Sequence, residues 1–234
     1  KPRVAILATG DEIVMPGEPI GANQIVSSNS HALAAAVQSY GGEPFSLGIA
    51  PDERQGLKAM AAGARGADIL VTTGGASVGD HDLVKSVLGE IGLELDFWKI
   101  AMRPGKPLIF GRIGDTRLLG LPGNPVSSMV CALIFLRPAI LRMLGFSNTD
   151  TALLPARIDS ALAANDERQD YLRATLNRSE DGTIGVSPFK RQDSSMISLL
   201  AESEALIVRP PYDPAISEGS SVNIIPLSGG FPEI

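Results

Sequence analysis

Cysteine is nearly absent from the 234 residues. Cys131 stands alone, so no internal disulfide can form, and a reducing, cytoplasmic setting fits. Histidine is scarce as well: with only His31 and His81, a His/Cys zinc site is a poor reading. Aromatic residues make up 5% of the chain, too few for the stacking platforms of single-stranded nucleic-acid binders. There is no excess of positive charge either. A net charge of -6 argues against a nucleic-acid partner held by its phosphates. The longest apolar run, Met129 to Leu136, is too short to span a membrane. Neither a signal peptide nor an initiator Met is seen. Lys1-Pro2-Arg3 leads straight into Val4-Ala5-Ile6-Leu7, so the expectation is a fragment of something longer.

Turn formers are plentiful, with 25 Gly and 17 Pro, and they punctuate two different patterns. In residues 1–146 strand-like and helix-like stretches alternate. Strands are expected at Val4 to Ala8, Phe45 to Ala50, Ile69 to Thr73, Leu95 to Ile100, Leu108 to Phe110 and Leu118 to Leu121. Helices are expected at Ser30 to Tyr40, from Pro51-Asp52 to near Gly63, and at Leu83 to Ile91. A long helix should run from Asn124-Pro125 to Leu144, with Asn124 as N-cap and a kink at Pro138. Such alternation predicts an α/β domain, a parallel sheet covered on both faces. Ser147 to Thr151 reads as a linker. Residues 151–234 hold short strand-like pieces and predict a small β-rich, barrel-like domain. Charge divides the same way: residues 1–146 hold 13 basic and 13 acidic residues, and residues 147–234 hold 7 and 13.

In an open parallel sheet, ligands bind beyond the carboxyl ends of the strands. The least ordinary sequence of this chain sits at such ends. Thr9-Gly10-Asp11-Glu12 follows the first strand, and Asp52 follows the second. Gly74-Gly75-Ala76-Ser77-Val78-Gly79-Asp80-His81-Asp82 follows the third. A Gly-rich strand-to-helix turn lets backbone N–H groups approach a phosphate. The spacing is neither that of a Walker A loop nor that of the dinucleotide fingerprint. Taken singly, Asp52 reads as a helix N-cap, Asp82 as a first-turn dipole partner and Glu12 as a solvated loop residue. Together on one rim they would repel an anion unless a divalent cation, in the manner of Mg²⁺, bridged them. Lys99, Arg103 and Lys106 surround a Pro104-Gly105 turn and would neutralise a polyanionic substrate on that rim. Pro122-Gly123-Asn124-Pro125 forms a second rigid loop, which leads through Val126 to Ser127.

The ordered set Thr9 to Glu12, Asn29, Asp52, Gly74 to Asp82, Arg103-Pro-Gly-Lys-Pro107 and Leu121-Pro-Gly-Asn-Pro-Val-Ser127 closely resembles the molybdopterin molybdotransferases, the family of MoeA and the gephyrin E domain. The resemblance covers essentially the whole chain and lacks the family's two N-terminal domains. It implies a MogA-like molybdopterin-binding domain followed by the C-terminal domain of the family, working as a homodimer in the cytoplasm. It also implies a reaction. Adenylylated molybdopterin and molybdate are the substrates, the adenylate is hydrolysed with Mg²⁺ or another divalent cation, and AMP is released. Carried over by position, Asp52, Asp82 and Glu12 are the catalytic acids of one cleft, and Asp52 and Asp82 hold the cation. Thr9, Gly10, Asp11, Gly74, Gly75 and Ser77 bind substrate. Lys99, Arg103 and Lys106 form the anion site, with Arg103 standing where the family commonly has Lys. Pro122, Gly123, Asn124, Pro125 and Ser127 line the pocket. In the second domain Tyr171-Leu172-Arg173 resembles an aromatic-x-Arg segment, and Gln192 to Ser195 loosely resembles Gln-Gly-Ser-His, so Arg173 and Ser194 join the substrate set. Two other readings compete: a MogA-like molybdopterin adenylyltransferase, which in the first reading is the handover partner, and a non-catalytic scaffold module.

Overall fold

Four apolar runs of the first half lie side by side as parallel strands in the computed structural model, which describes residues 1–74, 83–178 and 182–227. In chain order the elements are β1 (Arg3–Thr9), β2 (Ile13–Val14), β3 (Ile25–Val26), α1 (Asn29–Ser39), β4 (Glu43–Ala50), α2 (Arg54–Ala61), β5 (Ile69–Thr73) and α3 (Leu83–Glu90). They continue as β6 (Leu93–Trp98), β7 (Met102–Arg103), β8 (Ile109–Ile113), β9 (Thr116–Leu121), α4 (Pro125–Cys131) and α5 (Arg137–Met143). The main sheet runs β4-β1-β5-β9-β8-β6. Its central strand β5 is buried along its whole length, and β1 is buried apart from Arg3. That is why both read as unbroken apolar runs and not as alternating ones.

The sheet is mixed where the sequence predicts a parallel one. β8 and β6 run antiparallel to the strands beside them. β8 turns into β9 through Gly114-Asp115 alone, and two residues can only reverse the chain, whereas a parallel neighbour needs a crossover of a dozen or more. The long helix after Asn124 starts as expected: Pro125 occupies the first turn and the Ser128 N–H donates to the Asn124 carbonyl. At Pro138 it does not simply kink. A π-helical turn, Ala132–Leu136, precedes α5. Pro138 has no N–H to donate and its ring crowds the carbonyl four residues back. A wider turn at that place relieves both. By length and composition Pro125–Met143 could cross a membrane, but 61% of its most apolar window is buried inside the fold.

The chain divides into two compact units. One holds Lys1–Ile100 and Gly105–Thr149, the other Ala101–Pro104 and the chain from Asp150 onward. In the second, β10 (Leu154–Ile158), β11 (Gln169–Arg178), β12 (Ile184–Pro188), β13 (Ala205–Arg209) and β14 (Ser221–Pro226) pair in the order β12-β10-β14-β13-β11. β11 also pairs with β12, which closes five strands into a barrel around Ile158, Ala174, Val186, Ile207 and Ile224. Closure removes most of the sheet edge. A short helix, α6 (Ile197–Ala201), and the two-residue strand β7 belong to this unit. Neither was legible as a periodic pattern, because each is too short to show one.

Candidate functional site

The carboxyl ends of the four parallel strands form one rim. Thr9 is in register with Ala50, Ala8 with Thr73, and Thr73 with Leu121. After Thr9 the chain leaves the sheet at Gly10, whose N–H donates to the Ala50 carbonyl at 3.3 Å. The Glu12 carboxylate folds back over Gly10, where a Cβ would lie 2.5 Å from it. Gly74, at φ +88°, packs so closely on the end of β1 that a Cβ there would stand 2.1 Å from the Thr9 carbonyl oxygen. Only glycine serves there, for its left-handed backbone and for the close approach.

Acids gather beside these turns. The Asp52 N–H donates to Asp11 Oδ1 at 3.0 Å. Asp52 is exposed and caps nothing: Glu53 is the residue before α2, and it too makes no side-chain cap. Partial burial raises the Asp52 pKa, and the negative charges of Asp11 and Glu12 raise it further. Asp11, Glu12 and Asp52 therefore share one electrostatic neighbourhood, where a divalent cation would relieve like-charge repulsion. Among the described residues no three His, Cys, Asp or Glu side chains form a metal-holding group. Asp82, Gly75 and Ser77 lie outside the described residues.

On the other face of the rim, Thr73 and the Pro122-Gly123 loop are tied together by Asn29, the first residue of α1. Its Nδ2 donates to Thr73 Oγ1 at 2.9 Å and to the Gly123 carbonyl at 2.8 Å. Ser127 and Ser128 are buried behind the loop, while Gly123 and Asn124 are exposed. Thr9 Oγ1, Thr72 Oγ1 and Asn29 Oδ1 are buried without a hydrogen-bond partner among the described residues.

The three expected cations divide between the units. The Lys99 N–H donates to the Leu108 carbonyl and the Ile100 N–H to the Lys106 carbonyl, each at 3.0 Å, so Lys99 and Lys106 stand on facing stems of one excursion. Lys99 has φ +63°, and its ammonium lies 3.7 Å from the centre of the Trp98 ring. Lys106 is exposed. Arg103 lies on β7 in the second unit, where its guanidinium grips Asp170 with two bonds of 2.7 Å and approaches Asp166 at 3.3 Å. A planar fork matches a carboxylate in this way, so Arg103 is paired within its own unit.

Arg173 is also committed within its unit. It is 2% exposed, and its guanidinium donates to Gln192 Oε1 and to the carbonyls of Asp193 and Met196, which holds the turn that contains half-buried Ser194. Burial lowers its pKa. A cavity of about 330 Å³ lies among Arg103, Asn165, Asp170, Arg173, Gln192 and Arg209. Asp170 and Asn165 were missed from sequence because each is an ordinary polar residue until the fold places Arg103 beside it. A roomier apolar groove of about 470 Å³, lined by Phe97, Phe110, Phe135 and Met143, takes in Ile69 and Arg117 at the amino ends of β5 and β9. It is therefore not part of the carboxyl-end rim.

Residues 5–142 match the family described as a probable molybdopterin binding domain, and residues 155–227 match the MoeA C-terminal region, domain IV. The chain is 33% identical over 232 residues to a molybdopterin molybdenumtransferase of Haemophilus influenzae, with 97% of this chain and 56% of that relative covered. It is 34% identical over 236 residues to one from Nostoc sp., with 97% and 53% covered. A crystal structure of the molybdopterin biosynthesis MoeA protein from Pyrococcus horikosii superposes with a TM-score of 0.81 at 31% identity, over 97% of this chain and 54% of that one. The chain spans about half the length of the relatives it matches.

Proposed function

The chain belongs to the family of probable molybdopterin binding domains, and from that premise we propose that it acts in molybdenum cofactor biosynthesis, inserting molybdate into adenylylated molybdopterin with release of AMP. The observation that carries this reading is the strand-end rim. Glycine turns, an acid cluster from two strand ends and the loop tied down by Asn29 all meet there. Phosphate oxygens need backbone N–H donors and positive charge close by, and a divalent cation lets acids and phosphates coexist.

In this reading Asp52 and Asp82 would hold Mg²⁺, which would supply positive charge beside the phosphate anhydride that water hydrolyses to release AMP. Glu12 and Asp11 tune the charge at Asp52. Thr9, Gly10 and Gly74 present close backbone to the substrate, and Gly75 and Ser77 are further substrate-binding residues. Lys99 and Lys106 draw in its phosphates, and Pro122 to Pro125 with Ser127 shape the pterin pocket. Arg173 keeps the Ser194 turn in shape. The protein works as a cytoplasmic homodimer, and a MogA-like adenylyltransferase hands over the adenylate. The MoeA C-terminal match favours this reading over adenylyl transfer itself.

The test is to incubate the chain with adenylylated molybdopterin, molybdate and Mg²⁺ and to time AMP release by chromatography, with Asp82→Asn and a chelator as controls. AMP release that depends on cation and molybdate is the expected result. No binding of the adenylate by calorimetry and no AMP above the blank would overturn the reading.

A further inference from the structure

We propose that Asn29 is a positioning residue for the strand-end site, its carboxamide setting the Thr73–Gly74 turn and the Pro122–Gly123 loop at one fixed separation. The inference deepens the function proposed above and rests on that reading of the rim.

Asn29 is 9% exposed, and both hydrogens of its amide nitrogen are used. One goes to the Thr73 hydroxyl, which in turn reaches the Pro122 carbonyl at 3.3 Å. The other goes to the Gly123 carbonyl. One bond to each loop, and a relay through Thr73 to Pro122, thus converge on a single side chain. The turns they join already touch: a Cβ on Gly123 would lie 3.3 Å from the Gly74 Cα, a tight contact that would press the two turns apart. The amide has a single usable orientation, because Nδ2 faces two acceptors. Its Oδ1 is left buried with no partner among the described residues. Buried carbonyl oxygens are almost always hydrogen-bonded, and a local rule broken without a packing gain is a mark of a functional position. Asn29 is not needed to start α1, since the preceding residue, Ser28, is the N-cap and makes no side-chain bond there. Together with the Thr73 hydroxyl, it holds the two loops to one another.

Asn29→Asp keeps the shape and removes the donor. A carboxylate oxygen would then face the Gly123 carbonyl, and Thr73 could satisfy it only by releasing Pro122. The affinity of the full chain for adenylylated molybdopterin is measured by calorimetry, kcat by AMP release at saturation, and the folded fraction by urea titration. Asn29→Asp and Asn29→Ala lose both amide hydrogen bonds and should raise Kd about tenfold or more per folded molecule, with kcat within about threefold of wild type. Thr73→Val should reproduce the effect, Thr73→Ser should spare it, and Asn29→Ala with Thr73→Val should be no worse than the worse single change. A lowered urea midpoint with unchanged Kd in the folded molecules would overturn the inference and leave Asn29 purely structural. If Asn29→Asp does not fold, the Thr73→Val and Thr73→Ser pair decides. Wild type that fails to bind would instead overturn the functional reading, so the two failures are distinct.

Discussion

Asp52 is a carboxylate among carboxylates, and its neighbours make its charge unwelcome. Burial first, then Asp11 and Glu12, raise its pKa above the ordinary 3.8. A raised acid binds its proton more tightly in the fold than in the unfolded chain. Its contribution to stability therefore falls as pH rises through the window above 3.8. Asp52→Asn should keep or slightly raise the urea midpoint at neutral pH while AMP release drops about a hundredfold or more. A drop in midpoint with activity per folded molecule intact would make Asp52 structural. Asp166 shows the opposite sign. The Arg168 side chain first, its N–H next and Arg103 after them hold Asp166 down to about 2. A depressed acid stabilises the fold above 3.8, and that contribution is lost as pH falls toward 2. Urea midpoints taken through this acid range should decline more steeply for wild type than for Asp166→Asn. Equal slopes would show that Asp166 titrates alike in both states.

At the scale of elements, the strand β7 matters more than its two residues suggest. It pairs Met102 and Arg103 with Gln169 and Asp170, and the Arg103–Asp170 fork locks that pairing. The Asp170 side chain is 9% exposed and that of Arg103 45%. Removing the partner of a fully buried acid costs about 3–5 kcal/mol. Solvent at Arg103 screens the pair, so Arg103→Ala should cost about 1–2 kcal/mol. Arg103→Lys keeps the charge but cannot form the fork, and should recover only part of that. Thermal unfolding measures both variants. Wild-type stability with weakened adenylate binding would return Arg103 to the role its sequence neighbours suggest.

Across the whole molecule, charge is unevenly placed. All of the net -6 belongs to residues 147–234, while residues 1–146 are neutral. An anionic substrate at the strand-end rim would therefore depend on the local cations of its own unit, not on a general positive field. Lys106→Ala should weaken adenylate binding about ten- to hundredfold, the cost of about 1.5–3 kcal/mol for one charge-assisted hydrogen bond. Rising salt should weaken wild type more than the variant, since screening acts on a charge the variant lacks. Calorimetric titrations at low and high ionic strength check this. Equal affinity of the two proteins at low salt would show Lys106 to be only a solvated loop residue.

The sequence by itself determined the class of the fold and the place of the rim. Unbroken apolar runs such as Val4 to Leu7 can be buried only inside a two-sided sheet, and Gly10 and Gly74 mark where backbone must come close. These are local facts of volume and dihedral freedom, so they are readable along the chain. The antiparallel edge of β8 and β6 was partly legible in Gly114-Asp115, a turn too short for any crossover. What the tertiary structure alone decided is which polar residues meet. Arg103 stands between Lys99 and Lys106 in sequence, yet it pairs with Asp170, 67 positions away. Asn29 reaches Gly123 across 94 positions. Hydrogen bonds and ion pairs act over about 3 Å and depend on angle. Their partners are chosen by the fold that brings the atoms together, and no spacing along the chain encodes that choice.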